Sequence, residues 1–241
     1  MDIFGKAEYK MKTVVVNGTM RRGSTRHITE LFLKELGGEV AEFWLPRDFS
    51  DPCMGCFSCF RNGEDTCPHA ARVQPVIRAF DEADLIILQS PVYVLGMSGQ
   101  LKCLLDHTGY RFVVHRPNPA MYQKTGLVIS TTGGVGARTV TKAMKACLSG
   151  ICVPKIFRCG KAVMAMGWEQ VAERKREKIE KQVRRLAGKI KKRIASKKGA
   201  SFGGKLLFYM MRMIQKKNDY LPKDREYWEV QGWLGKGRPW K

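Results

Sequence analysis

Short apolar runs alternate along this chain with longer segments whose apolar residues recur every three or four positions, and that rhythm admits few folds. The runs lie at 13–16, 40–45, 84–89, 126–130 and 153–157, of which DLIILQ at 84–89 is the plainest buried strand. Between them, 24–36, 73–82, 98–106 and 139–148 have helical spacing, with Ile28, Leu31 and Phe32 on one face of the first. Successive strands joined by helices pair in parallel, because each connection must cross the sheet. The pattern therefore predicts an α/β fold, a doubly wound five-stranded parallel sheet.

Beyond the fifth run the character changes. From 169 to 198 the residues Val171, Ile179, Val183, Leu186, Ile190 and Ile194 mark the apolar stripe of a long amphipathic helix in a Lys- and Arg-rich background. A break at 199–204 precedes a second apolar segment, KLLFYMMRMI at 205–214, and a tail carrying Asp224, Tyr227, Trp228, Gly232 and Trp233. The expected organisation is a domain at 1–168 and a basic α-helical C-terminal extension at 169–241. Of the formal net charge of +21, the extension holds 22 Lys and Arg against 8 Asp and Glu. Two thirds of the excess thus sits in its last third. That field suits an acidic redox partner such as a ferredoxin, or NADPH. It equally suits packing of the stripe on the core or a sister subunit, or contact of 205–217 with a membrane surface. No recognised module accompanies the charge, so nucleic acid is not an expected partner. No apolar stretch approaches the roughly 20 residues of a membrane span, and the polar start MDIFGKAEYK lacks a signal-peptide apolar region, so a cytoplasmic protein is expected.

Three loops follow strands and carry candidate ligand groups. The first, NGTMRRGST at 17–25, places the hydroxyls of Thr19, Ser24 and Thr25, the charge of Arg21 and a helix N-terminus around one point, which favours an anion. Neither nucleotide-binding glycine fingerprint is present, and a phosphate monoester suits the spacing better. The second loop contains Pro91, Val92 and Tyr93, and the third is TTGGVG, with Thr131, Thr132, Gly133, Gly134 and Gly136. Glycines there let a backbone approach a flat ring closely. Each loop has an ordinary reading as well: a capped helix, a packed tyrosine and a flexible turn.

Four of the eight cysteines are bunched as Cys53-x2-Cys56-x2-Cys59-x7-Cys67-Pro68. Thiolate-rich sites favour zinc or an iron-sulfur cluster, and the Cys-x2-Cys-x2-Cys run with the Pro after the last Cys resembles ferredoxin-type ligation, in which four thiolates hold a [4Fe-4S] cluster. Four thiols without metal is the third reading. Cys103, Cys147, Cys152 and Cys159 fall in apolar contexts and are expected to act as small hydrophobes. His69, His107 and His115 are scattered without a metal-ligand spacing, and His27 lies in the first helix.

Between 11 and 158 the chain resembles the NADPH-dependent FMN reductase family and its relatives the iron-sulfur flavoproteins, through Gly18, Thr19, Arg21, Ser24 and Thr25 in the first loop, Pro91, Val92 and Tyr93 in the second, and the cysteine motif at 53–67. Met20 stands where a Pro is frequent and Ser24 where an Asn is frequent. The resemblance implies a flavodoxin-like sheet with FMN bound by these loops, and a [4Fe-4S] cluster on Cys53, Cys56, Cys59 and Cys67 exchanging electrons with it. It also implies an NAD(P)H- or ferredoxin-linked oxidoreductase working as a homo-oligomer, a dimer or tetramer. Because the flavin carries the chemistry, no catalytic acid or base is assigned. The competing expectation is a non-enzymatic flavin and thiol redox-sensing or electron-carrier module.

Overall fold

The computed structural model describes residues 9–240; most of the polar leading segment, residues 1–8, lies outside them. Five parallel strands form one sheet in the order β2-β1-β3-β4-β5: β1 (Lys12–Asn17), β2 (Glu39–Trp44), β3 (Leu85–Gln89), β4 (Thr125–Thr132) and β5 (Lys155–Ala162). This is the flavodoxin-like order, with its switch point between β1 and β3. The three inner strands are near-continuous apolar runs because both faces are covered, and Leu85 through Leu88 are wholly buried. All five expected strands are present. The fifth is displaced, starting two residues later than expected and running to Ala162, because Val153 belongs to the turn that closes the preceding helix.

One face is covered by α3 (Ala70–Glu82), α4 (Gly99–Asp106) and α5 (Ala137–Gly150); a single helical turn, α2 (Ser58–Arg61), precedes them in the chain. The opposite face is covered by α1 (Ser24–Leu36) and by α6 (Glu173–Ala195), whose Ile179, Val183, Ala187 and Ile190 pack with Ile28 and Phe32 over Val15, Ile87 and Leu127. The long basic helix is therefore half of one layer of the sandwich, and a boundary at 168 would divide a continuous core. Its stripe is buried because β1, β3 and β4 would otherwise face water beside α1.

Only the chain beyond α6 stands apart. α7 (Phe202–Gln215), α8 (Pro222–Val230) and the tail gather Phe208, Met211, Trp228 and Trp233 around Tyr122 and Val114 in a third cluster. The expected break at 199–204 falls three residues earlier, at 196–201, since α6 ends at Ala195 and Gly203 and Gly204 already lie in α7, whose N-terminus is capped by the Ser201 hydroxyl accepting from the Gly204 N–H. Among the described residues no helix is long and apolar enough to cross a membrane.

Candidate functional site

The carboxyl ends of β1, β3 and β4 open into one recess at the switch point. Thr19, Arg21, Ser24 and Thr25 line it from the first loop, Pro91, Val92 and Tyr93 from the second, and Thr131, Thr132 and Gly133 from the third. Of the expected ligand residues, Gly134 and Gly136 do not line it. Gly136 serves the neighbouring loop instead. It has φ +97, and a Cβ there would lie 2.9 Å from the Val92 side chain and 3.3 Å from that of Leu95. That loop is a tight hairpin in which Tyr93 and Gly96 exchange two backbone hydrogen bonds of 2.9 Å, with Val94 and Leu95 both left-handed at its tip. A β-branched residue in that conformation is strained, so this turn is held at some cost.

Thr19, Ser24, Thr25 and Thr131 are all buried, and Thr25 Oγ1 and Thr131 Oγ1 lie 2.6 Å apart, coupling the first loop to the third. The first N–H groups of α1 have no partner within the helix and concentrate its positive end beside these hydroxyls. The Tyr93 hydroxyl donates a long 3.4 Å bond to Thr19 Oγ1. The Thr132 hydroxyl is spent locally, donating to the Val135 carbonyl at 2.8 Å and accepting from the Gly134 N–H. Gly18 allows the loop to pass against β3, since a Cβ there would lie 2.8 Å from both the Gln89 carbonyl oxygen and Ser98 Oγ.

Asn17 and Arg26 stay out of the recess. The Asn17 amide donates to the Phe43 carbonyl and accepts from Gln89, joining three strands. Arg26 makes a bidentate pair with Glu42 at 2.9 and 3.0 Å. A fourth wall was not legible in the sequence: Gly23 apart, the added lining residues are Val163, Ala165 and Met166, which follow β5. Arg21 reaches across to donate to the Met166 carbonyl. Nothing in the composition of 163–166 marks it as a wall, because it acts through its position after the last strand.

The cysteine segment leaves the same sheet edge after β2, and Cys53, Cys56, Cys59 and Cys67 line a second recess with Met54, Phe57, Phe60 and Tyr110. Left-handed Gly55 and Phe57, together with Gly63 at φ +108, give the short loop its turns. Cys53 and Cys56 are exposed, while Cys59 and Cys67 are half-buried. Burial pushes the Cys59 thiol up, the nearby Cys67 and Cys53 add to the rise, and Arg116 opposes it.

The structure corrects the reading of the histidines as scattered. His69 and His107 meet at 2.9 Å beside Cys67, and the ligand atoms of these three residues lie within 4.8 Å of one another. His107 Nδ1 can only donate to the Cys103 carbonyl, 2.8 Å away, so in the neutral ring its Nε2 accepts from His69 Nδ1. His115 donates through Nδ1 to Asp224 at 2.6 Å. Asp224, fully buried in α8, also holds Arg116 at 2.5 Å, and Arg116 donates to the backbone carbonyls of Cys59 and Phe60. The far end of the chain thereby braces the cysteine loop from behind. Of the remaining cysteines, Cys159 is buried and the other three half-buried. Burial pushes the Cys152 and Cys159 thiols up to about 11.

A doubly wound sheet with a hydroxyl-rich recess at its switch point, beside a helix N-terminus, defines a protein of the flavodoxin-like fold class. The model of the NADPH-dependent FMN reductases matches residues 11–168, and the chain belongs to that family. It is similar to an iron-sulfur flavoprotein of Methanocaldococcus jannaschii, 34% identical over 105 residues that cover 41% of this chain and 52% of the relative. An iron-sulfur flavoprotein of Archaeoglobus fulgidus is 32% identical over 130 residues, 52% of this chain and 56% of the relative. The chain thus spans about half the length of these curated relatives. Among solved structures, an FMN-dependent NADH-azoreductase of Bacillus anthracis in complex with FMN superposes with a TM-score of 0.53 at 15% identity, covering 73% of this chain and 99% of that one, a likeness of fold.

Proposed function

We propose that this chain is an FMN-dependent NAD(P)H- or ferredoxin-linked electron-transfer oxidoreductase in which Cys53, Cys56, Cys59 and Cys67 hold a [4Fe-4S] cluster. The observation that carries the FMN reading is the convergence of four strand-end loops on one recess, with buried hydroxyls beside the start of α1. The residues fit the group. Thr19, Ser24 and Thr25 would bind its phosphate with the helix amides, the fixed charge of Arg21 would offset its anion, and Gly133 with the Pro91–Tyr93 wall would flank the ring. Bound FMN supplies hydride acceptance and one-electron transfer, so the chain's own task is to bind, orient and partly dehydrate the reacting edge. The exposed Val94, Leu95, Val135, Met164 and Met166 lie on three of these four loops, which supports a homo-oligomer, dimer or tetramer, that covers them.

The cluster reading is supported by four thiols lining one recess, a soft donor set, with Met54, Phe57, Phe60, Val73 and Tyr110 among its walls beside the polar Glu64, His69, Gln74, Asp106 and His107. Cys53 and Cys56 at its mouth would present the held group to a partner or a second subunit. Anaerobic purification tests both halves: one FMN per chain, with about four iron and four sulfide, is expected. Protein that takes up no FMN would overturn the whole reading, and protein with FMN but no iron would leave a flavin reductase without the cluster. Failure of the FMN form to oxidise NADPH, NADH or reduced ferredoxin with any common acceptor would favour a carrier or thiol-sensing module instead.

A further inference from the structure

One face of α7 is unaccounted for by any of this. Its inner face, Phe208, Met211 and Gln215, is buried against Tyr122, Trp228 and Trp233, so the opposite face of a helix on a soluble protein should be polar. It is not. Phe202 is 84% exposed, Leu206 63%, Met210 46% and Met213 66%, and their spacing of four, four and three places them in one stripe directly opposite the buried one. Ile214 widens the stripe, at 51% exposed.

The charge around this stripe identifies what it meets. From 181 to 218 the chain has no Asp or Glu and thirteen Lys and Arg. On α7 itself Lys205 flanks the stripe, and Lys216 and Lys217 follow its end, all three exposed. Long cationic side chains beside an apolar ridge can extend along it and place their ammonium groups at its edge. Tyr209 and the nearly fully exposed Tyr220 add amphipathic rings of the kind enriched where apolar and polar media meet.

We propose that α7 is an interfacial helix with which the protein lies on an anionic lipid bilayer, its Phe202–Met213 ridge entering the acyl boundary and the surrounding lysines meeting the headgroups. A second copy is the poorer occupant, because pairing two such faces would bring two acid-free basic segments together. An acidic protein would match the charge, but a convex ridge of bulky side chains on a single helix needs a groove, whereas lipid deforms around it. The helix is 14 residues long, about 21 Å, enough to lie flat and too short to span.

Flotation of the full chain with vesicles of phosphatidylcholine, with and without phosphatidylglycerol, tests this. Binding to the phosphatidylglycerol vesicles is expected, weakened at least tenfold in pure phosphatidylcholine and again by salt. The variant Phe202→Ser/Leu206→Ser/Met213→Ser changes exposed side chains only and should keep the parent's thermal transition while losing at least tenfold in vesicle affinity. Lys216→Gln and Lys217→Gln should each cost about fivefold. No binding by the parent overturns the proposal, and so does equal binding by parent and triple variant, which would reduce the effect to general adsorption of a basic protein. Concentration-dependent dimerisation abolished by the triple variant would assign the face to a second copy. Tighter, stripe-dependent binding to polyglutamate than to vesicles would assign it to an acidic protein. Either result overturns the lipid assignment without touching the flavin reading.

Discussion

The two recesses at the carboxyl edge of the sheet are built in opposite ways. The switch-point recess is assembled from short connections whose ends are already held by core strands and helices, and its cross-links, such as that from Thr25 at the start of α1 to Thr131 at the end of β4, run between those anchored ends. The cysteine recess sits in a long connection, residues 45–69, with one helical turn and a short 3-10 turn, and is held in place by Arg116 and Asp224 from distant parts of the chain. A site on short connections anchored at both ends in the core inherits the rigidity of the core. One on a long connection depends on a buried polar brace, and its order can be lost while the rest of the fold survives.

The sharpest way to break that contrast is Asp224→Ala. It leaves the buried Arg116 guanidinium with only the more exposed Glu64 carboxylate, 3.6 Å away, and we expect a loss of about 3 kcal/mol in denaturant unfolding. Iron content in anaerobic preparations should fall with it while FMN is retained; equal loss of both, or of neither, would show that the two recesses are not independently supported. Alkylation of the metal-free protein separates the cysteines themselves. With the thiols of Cys152 and Cys159 raised to about 11 by burial, their thiolate fraction at pH 8 is on the order of 100-fold below that of an ordinary cysteine, so mass spectrometry should find the exposed Cys53 and Cys56 labelled well before them. The sign carries over to stability. Both groups keep their protons in the folded state while the unfolded chain ionises, so stability should decline as pH rises from about 9 to 11 and be unaffected by them below that.

Smaller effects probe the switch-point recess. Gly136→Val forces a β-branched side chain into φ +97 and against Val92, with an expected cost of about 1–3 kcal/mol in thermal unfolding and an altered Tyr93 hairpin. Thr25→Val removes a hydroxyl beside Thr131 at constant shape; a loss of about 1 kcal/mol, near fivefold in FMN affinity by flavin fluorescence titration, is expected with iron content unchanged. A cluster lost along with it would contradict the separation of the two sites.

Legibility in the sequence divides along the same line. The strand, loop and helix rhythm located β1, β3 and β4 and with them the loops at Thr19, Tyr93 and Thr131, because apolar periodicity and loop chemistry are properties of neighbouring residues. The glycines of 133–136 read alike in the sequence, as room for a flat ring, and nothing local shows that a Cβ at Gly136 would meet Val92, which lies in another loop. The wall formed by Val163, Ala165 and Met166 carries no local signature at all. The apolar stripe of α6 is legible, but its placement beside α1 on the core is one of several readings the sequence leaves open, because a stripe in a basic helix does not name the surface that covers it.

The sequence by itself determined the class of fold, the three loops, and the presence of four thiols close enough in the chain to share one ion or cluster. Each is set by short-range spacing and residue chemistry. Only the tertiary structure decided that His69 meets His107 beside Cys67, that Asp224 reaches back through Arg116 to the cysteine loop, and that α7 buries one apolar face and leaves the other exposed. The reason is physical. A buried charge must find its partner wherever packing brings one, and which side of an apolar helix is covered depends on elements far away in the chain.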